Sequence, residues 1–126
     1  MNIVDSSGWL EYLTDGLHAD TFSEALLDVD SLIVPTISLY EVFKVVLREH
    51  GEDEAIQAIA LMQQGLCVDL TADNALFAAK LSLEHALPMA DSIIYTTAQL
   101  YEAIVWTLDE DFEGLAGVRC FGKLSN

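Results

Sequence analysis

Short apolar segments alternate with helical patterns along the whole chain, and this alternation restricts the fold more than any other feature. Between these segments, hydrophobic residues recur three or four positions apart, which indicates helices. Alternating strands and helices predict an α/β fold, in which a parallel sheet carries helices on both faces. At 126 residues the chain is predicted to form one domain, residues 1–126. The predicted strands are residues 1–4, 32–34, 66–70, 104–107 and 118–121.

Two helices carry marked apolar stripes, which are expected to face the core. The first stripe precedes Gly51 and consists of Leu39, Val42, Phe43, Val46 and Leu47. The second, in a helix predicted for residues 52–64, consists of Ile56, Ile59, Ala60 and Leu61. Together the two stripes contain more apolar side chains than one small core requires. The other helices are predicted to begin after Asp5, to cover residues 19–27 and 71–85, and to begin at Asp91.

The charge and the cysteines narrow the possible functions. With 5 basic and 21 acidic residues the net charge is −16. This charge repels nucleic acid, because proteins normally bind nucleic acid through Lys and Arg side chains that neutralise its phosphates.

Cys67 and Cys120 lie in apolar runs and are expected to be buried, reduced thiols. The histidines are scattered and no CxxC motif occurs, so a zinc site is not expected. Any bound metal should use oxygen ligands, which favours Mg²⁺ or Mn²⁺.

The apolar segments are too short for a membrane protein, since spanning a bilayer takes roughly 18 consecutive apolar residues. The N-terminus has no basic segment, and Asp5 falls where the apolar region of a secretory signal would begin. We therefore expect a cytoplasmic protein with no membrane partner.

Four carboxylates occupy positions that should otherwise be buried. Asp5 and Asp109 directly follow apolar strands, Asp91 opens an apolar helix, and Glu41 lies within a helix that should be mostly buried. In parallel sheets, ligands bind beyond the carboxyl ends of the strands, where Asp5 and Asp109 are expected. Converging carboxylates repel one another and raise their pKa values, and a divalent cation removes that conflict. This pattern predicts a metal site.

Each carboxylate also has a purely structural interpretation. Asp5 and Asp91 could cap helices, since Asp is favoured at that position. Asp109 could be a turn residue, and Glu41 could be an exposed residue paired with Lys44. A structural cap could equally be Ser, Thr or Asn. The repeated use of Asp after hydrophobic strands favours the metal site.

Four segments resemble PIN domains, in particular the VapC-type ribonuclease toxins of toxin–antitoxin pairs. They are Ile3-Val4-Asp5-Ser6-Ser7, Tyr40-Glu41-Val42, Ala90-Asp91-Ser92-Ile93-Ile94 and Thr107-Leu108-Asp109-Glu110-Asp111-Phe112. The resemblance covers the whole chain in order and length. It implies a three-layer α/β/α sandwich with a central parallel sheet, Mg²⁺- or Mn²⁺-dependent cleavage of RNA, and a homodimer.

The resemblance also implies roles for individual residues. The acidic quartet of the family, catalytic and metal-binding, is matched by Asp5, Glu41, Asp91 and Asp109. Asp111 stands where some members have an additional acid, and Ser7 matches a small polar position expected to contact metal-bound water. Lys44 and Arg48, on the same helix as Glu41, are candidates for contacts to substrate phosphates, with surface ion pairing as the alternative. A small basic antitoxin is the expected partner, and its Arg could enter the carboxylate cluster.

The sequence also bears on three other classes of protein. An aspartyl-nucleophile phosphatase usually has a second Asp two residues after the first, where Ser7 stands. A non-catalytic interaction domain of the same fold is favoured by the net charge and by the two apolar stripes, which equally suit a homodimer interface or an antitoxin groove. A dinucleotide-binding or P-loop protein is excluded, because neither glycine motif occurs.

Overall fold

The strands form one parallel arrangement, as predicted. The computed structural model describes residues 1–122, so the last four residues of the predicted domain lie outside the described part. β1 pairs with β4 and β4 with β5, while β2 pairs with β3, all in parallel. A parallel bridge between Asn2 and Leu32 places β2 beside β1, giving the order β3-β2-β1-β4-β5. The strands are β1 (Asn2–Val4), β2 (Ile33–Pro35), β3 (Leu66–Val68), β4 (Ile104–Thr107) and β5 (Val118–Cys120).

Within residues 1–122, six α-helices connect these strands: α1 (Ser6–Leu13), α2 (Ala19–Leu26), α3 (Thr36–His50), α4 (Glu52–Met62), α5 (Ala72–His85) and α6 (Met89–Leu100). In the same part of the chain, two single-turn 3₁₀ helices, Val29–Ser31 and Glu110–Phe112, follow α2 and β4. Most predicted boundaries agree to within two residues. Among the described residues, no helix is both long and apolar enough to cross a membrane.

The sheet separates two hydrophobic clusters, which makes the molecule a three-layer sandwich. Successive strand residues point to opposite faces. Val4 and Trp106 therefore join the cluster formed with α1–α4, whereas Ile3 and Val105 join the cluster formed with α5 and α6. Helices thus cover both faces of the parallel sheet, as the alternation of elements predicts.

The second apolar stripe was predicted to face the core, and this holds only in part: Ile59 and Leu61 are packed partly buried against the core cluster, but Ala60 is exposed. The buried face of α4 is formed by Ala55, Ala58 and Met62, whereas Ile56 is 54% exposed. In α3, Val42 and Val46 are buried but Leu47 is 41% exposed. Small alanines form much of the buried face of α4, and Ile56 remains at the surface. Ile56 lines a groove of about 440 Å³ between α3 and α4, together with Leu39, Tyr40, Phe43, Ile59, Ala60 and Gln63.

Two smaller expectations also need correction. Cys67 and Cys120 are free thiols, but both are half-buried rather than buried. The last helix begins at Met89, not at Asp91, because Pro88 occupies the capping position. Proline suits a helix start, since its fixed φ is compatible with the helix and its missing N–H would have no partner there. Asp91 is consequently the third residue of α6 and not its cap.

Candidate active site

Asp5 lies at the carboxyl end of β1, where the chain turns into α1. Its backbone N–H donates to the Trp106 carbonyl at 3.2 Å, which holds the end of β1 against β4. Its Oδ1 accepts a 3.1 Å hydrogen bond from the Gly8 N–H, so Asp5 does cap α1. Gly8 is needed for this arrangement because a Cβ there would collide with Val4 and Phe22. Only 2% of Asp5 is exposed.

Two hydroxyl groups hold the Asp5 carboxylate. Ser7 Oγ donates to Oδ1 at 2.7 Å, and Thr107 Oγ1 donates to Oδ2 at 2.6 Å. Thr107 is the last residue of β4 and is fully buried. The carboxyl group of the first strand is therefore fixed by a side chain from the neighbouring strand.

Asp109 follows β4 and begins the 3₁₀ turn. Its N–H donates to Thr107 Oγ1 at 2.8 Å, and its Oδ1 accepts from the Asp111 N–H at 2.9 Å. Asp109 thus caps the turn Glu110–Phe112, as its structural interpretation proposed. This capping role uses one carboxylate oxygen and is compatible with a role of the other oxygen in the site.

Asp91, Asp109 and Asp111 form a compact acidic group. One carboxylate oxygen from each lies within 4.8 Å of the others, close enough to hold one metal ion. The first turn of α6 carries Asp91 towards Asp109 and Asp111. Asp111, predicted only as an additional acid, belongs to this group.

Glu41 approaches the same site from α3. The Ser6 side chain lowers the pKa of its carboxyl group, whereas the charge of Asp109 raises it, so both residues lie near Glu41. The predicted alternative, pairing with Lys44, is wrong: Lys44 Nζ lies 5.7 Å from the centre of the Tyr40 ring, and the ion pairs within residues 1–122 do not include Glu41.

The electrostatics of the site favour a bound cation. Burial, with further repulsion from Asp109, raises the pKa of Asp5 to about 6 despite the hydrogen bonds from Ser7, Thr107 and Gly8. Burial also raises the pKa of Asp91 to about 8, reinforced by the hydrogen bond and charge of Asp109 and by the charges of Asp5 and Asp111. The pKa of Glu41 is raised by burial and by Asp109.

This set of donors fits a hard divalent cation. Every donor is a carboxylate oxygen, the ligand type that Mg²⁺ and Mn²⁺ prefer. A cation would also neutralise the mutual repulsion that raises these pKa values. The assignment of individual ligands stays a prediction.

The predicted phosphate contacts have less distinctive surroundings. Arg48 forms an exposed ion pair with Glu49 at 2.9 Å, which agrees with the surface-pairing alternative. Lys44 is exposed beside Tyr40, one helical turn beyond Glu41. Of these two, Lys44 is the better candidate for contacting a substrate.

Sequence reasoning missed two hydroxyl residues of the site, Thr107 and Ser6. Thr107 ends the run Val105-Trp106-Thr107, and threonine is common in strands, so its type gives no signal. Its position directly before the predicted ligand-bearing turn is the one available indication. Ser6 stands beside Asp5 in a helix start, where serine is equally ordinary.

This architecture, a parallel α/β/α sandwich with acidic side chains at the carboxyl ends of its central strands, is accompanied by a match in sequence. A family model for the PIN domain matches residues 3–118, and the chain therefore belongs to the PIN domain family. Among curated proteins, none matches the chain in sequence.

Several solved structures share the fold. A toxin–antitoxin complex from Klebsiella pneumoniae is 24% identical, with a TM-score of 0.76 over 94% of this chain and 96% of that one. VapC20 of Mycobacterium tuberculosis, a toxin that cleaves the sarcin–ricin loop, is 16% identical, with a TM-score of 0.77 over 94% and 97%. DNA-bound VapBC of Salmonella typhimurium is 15% identical, with a TM-score of 0.72 over 95% and 97%.

Proposed function

We propose that the protein is a Mg²⁺- or Mn²⁺-dependent endoribonuclease that hydrolyses RNA phosphodiester bonds, and that it is the toxin of a toxin–antitoxin pair. The observation that carries the proposal is the convergence of Asp91, Asp109 and Asp111 within 4.8 Å, beside the buried Asp5. Membership of the PIN family and the structural similarity to a toxin that cleaves the sarcin–ricin loop support the choice of RNA.

The acidic residues are proposed to have two roles, binding the cation and activating the attacking water. Asp5, Asp91 and Asp109 would hold the cation, with Asp111 as an additional ligand. A cation held there would stabilise negative charge on the phosphoryl oxygens and lower the pKa of bound water. Glu41, the fourth member of the acidic quartet, would orient the attacking water and accept its proton. The raised pKa of Glu41 suits that task, because a general base works best when its pKa approaches the operating pH.

The proposed partners follow from charge and surface. A chain with a net charge of −16 attracts a basic protein, which suits a small basic antitoxin. The groove between α3 and α4 offers an apolar surface to such a partner or to a second copy in a homodimer. Similar structures include toxin–antitoxin complexes, some of them bound to DNA.

A non-catalytic interaction domain is the second candidate, favoured by the same charge and groove. A phosphatase with Asp5 as nucleophile is less well supported, because both oxygens of Asp5 accept hydrogen bonds and its side chain is buried. A trapped phosphoaspartate would favour it.

The decisive experiment compares RNA cleavage by the wild type and by Asp91→Asn with Mg²⁺, with Mn²⁺ and with EDTA. Asp53→Asn, an exposed acid in the first turn of α4, is the matched control. We expect cleavage by the wild type and the control only with metal, and none by Asp91→Asn. Equal cleavage by all three proteins would contradict the proposal, and a folded wild type that neither binds metal nor cleaves RNA would favour the interaction domain.

A further inference from the structure

We infer that Thr107 and Ser7 are positioning residues that leave Asp5 one open ligand position, on Oδ2, and tie that position to the backbone of the Asp109 turn. The inference rests on the proposed metal-dependent function. It concerns which oxygen of the Asp5 carboxylate is available to a cation. It also assigns the orientation of that carboxylate to Thr107, a residue that was not part of the predicted site.

The direction of each hydrogen bond follows from counting protons. A hydroxyl group has one proton to donate, whereas a backbone N–H can only donate. Thr107 Oγ1 accepts from the Asp109 N–H at 2.8 Å, so its own proton is free for Asp5 Oδ2 at 2.6 Å. Ser7 Oγ likewise accepts from the Leu108 N–H at 3.0 Å and donates to Asp5 Oδ1 at 2.7 Å.

Each hydroxyl therefore forms a relay, in which it accepts from a backbone N–H and donates to one oxygen of the Asp5 carboxylate. The two relays start at the consecutive N–H groups of Leu108 and Asp109 and end at Oδ1 and Oδ2 of Asp5. The 3.4 Å contact between Ser7 Oγ and Thr107 Oγ1 adds no donor to the relays, because both protons are already directed at Asp5. Hydrogen bonds thereby connect the turn that carries Asp109 to the side chain of Asp5, although the two residues follow different strands.

Counting acceptor positions then shows what remains for a cation. An ionised carboxylate has about four acceptor positions, two on each oxygen. Oδ1 accepts from Ser7 and from the Gly8 N–H, and Oδ2 accepts from Thr107. One position on Oδ2 is left, so Asp5 would offer a cation a single oxygen.

Valine at position 107 would keep the shape of threonine but remove the hydroxyl. The Asp109 N–H would lose its acceptor, and Oδ2 of Asp5 would lose its donor. Partners that orient metal ligands typically contribute about 10–100-fold to metal affinity or activity. Serine at position 107 would retain the hydroxyl and should retain the relay.

The test measures Mn²⁺ affinity by titration calorimetry and the unfolding temperature in EDTA. The variants are Thr107→Val and Thr107→Ser, with Thr97→Val as the matched control. Thr97 is also buried, but its hydroxyl donates to the Ile93 carbonyl within α6. We expect Thr107→Val to bind Mn²⁺ about 10–100-fold more weakly. Thr107→Ser should bind close to the wild-type affinity. Thr97→Val should be destabilised without a change in affinity.

Two results would overturn the inference while leaving the proposed function intact: wild-type Mn²⁺ affinity in Thr107→Val, or equal losses in Thr107→Ser and Thr107→Val. If Thr107→Val does not fold, Ser7→Ala provides the same test, because it removes the donor to Oδ1; unchanged Mn²⁺ affinity would again contradict the inference. A folded wild type that binds no Mn²⁺ would instead refute the proposed function, and the inference with it.

Discussion

Asp91 and Asp109 bring their carboxylate oxygens within 4.8 Å of each other, although one lies in the first turn of α6 and the other follows β4. Burial and the neighbouring acidic groups, Asp109 above all, raise the pKa of Asp91 to about 8, so Asp91 is protonated at neutral pH when no cation is present. The contact links protonation, stability and metal binding at the same pair of residues.

The first prediction is that the metal-free protein loses stability as the pH rises. The pKa of Asp91 is about 8 in the folded protein against an ordinary value of 3.8, and that of Asp5 is about 6. Between about pH 4 and these raised pKa values, the folded state binds more protons at Asp5 and Asp91 than the unfolded state does. The contribution of these two groups to stability is therefore greatest below about pH 4 and is lost as the pH rises through 6 and 8. Other groups that titrate add to the measured curve, so the comparison with a variant is essential.

Thermal unfolding of the wild type and of Asp91→Asn in EDTA, from pH 5 to pH 9, measures this effect. Asparagine cannot ionise, so the variant should show a smaller decline, and its unfolding temperature should exceed that of the wild type near pH 9. Mg²⁺ or Mn²⁺ should restore the wild type but not the variant. Parallel curves for the two proteins would contradict the prediction.

The second prediction separates Glu41 from the acidic group that holds the cation. Glu41→Gln should lower kcat by about 100-fold or more, because general bases typically contribute 10²–10⁴-fold. Its Mn²⁺ affinity should fall less than that of Asp91→Asn, since Glu41 lies outside the group of Asp91, Asp109 and Asp111. Glu49→Gln, which removes an exposed partner of Arg48, is the control. A larger loss of Mn²⁺ affinity in Glu41→Gln than in Asp91→Asn would make Glu41 a principal metal ligand.

The third prediction concerns the scarce basic residues. Lys44→Ala should raise KM for RNA with little change in kcat, and should reduce the slope of log affinity against log salt concentration by about one. Arg48→Ala should have a smaller effect, because Arg48 is paired with Glu49. Lys80→Ala is the control, since Lys80 lies on α5, across the sheet. Equal effects of all three substitutions would indicate a contribution of overall charge and not of a contact.

The fourth prediction concerns packing beneath the site. Alanine has a higher helix propensity than glycine by about 1 kcal/mol, which would favour Gly8→Ala. However, a Cβ at this position would meet Val4 and Phe22 at less than van der Waals distance. Overpacking typically costs about 1–3 kcal/mol, so we expect a net loss of stability in urea unfolding. Metal affinity should fall as well, because a backbone shift that relieves the clash would displace the N–H of residue 8 that donates to Asp5. A stabilised variant would show that the helix start can shift without strain.

The alternation of strands and helices was sufficient to predict the sheet, because Ile3 and Val4 serve opposite faces of a buried strand and both must be apolar. Asp5 and Asp109 were located by the same logic, since strand ends in parallel sheets meet at one edge. These conclusions depend on local sequence and on a general rule of topology. They need no knowledge of how particular helices pack.

The packing of the helices could not be predicted from the local sequence pattern. The spacing around Ile56 suits a buried stripe as well as a surface groove, and the close approach of Ala55 and Ala58 to the core decides between them. Thr107 was missed for a similar reason. Its hydroxyl acquires a role only because β1 lies beside β4, and that proximity has no signature in the residues next to it.

The parallel pairing of β1 with β4 has a consequence for synthesis of the protein. Asp5 and Glu41 leave the ribosome early, but the strand that aligns Asp5 and the turn that supplies Asp109 are translated last among the parts of the site. A nascent chain that stops before β4 therefore carries acidic residues without a catalytic centre. On the proposed function, such a chain could not cleave RNA before β4 has been translated and has paired with β1.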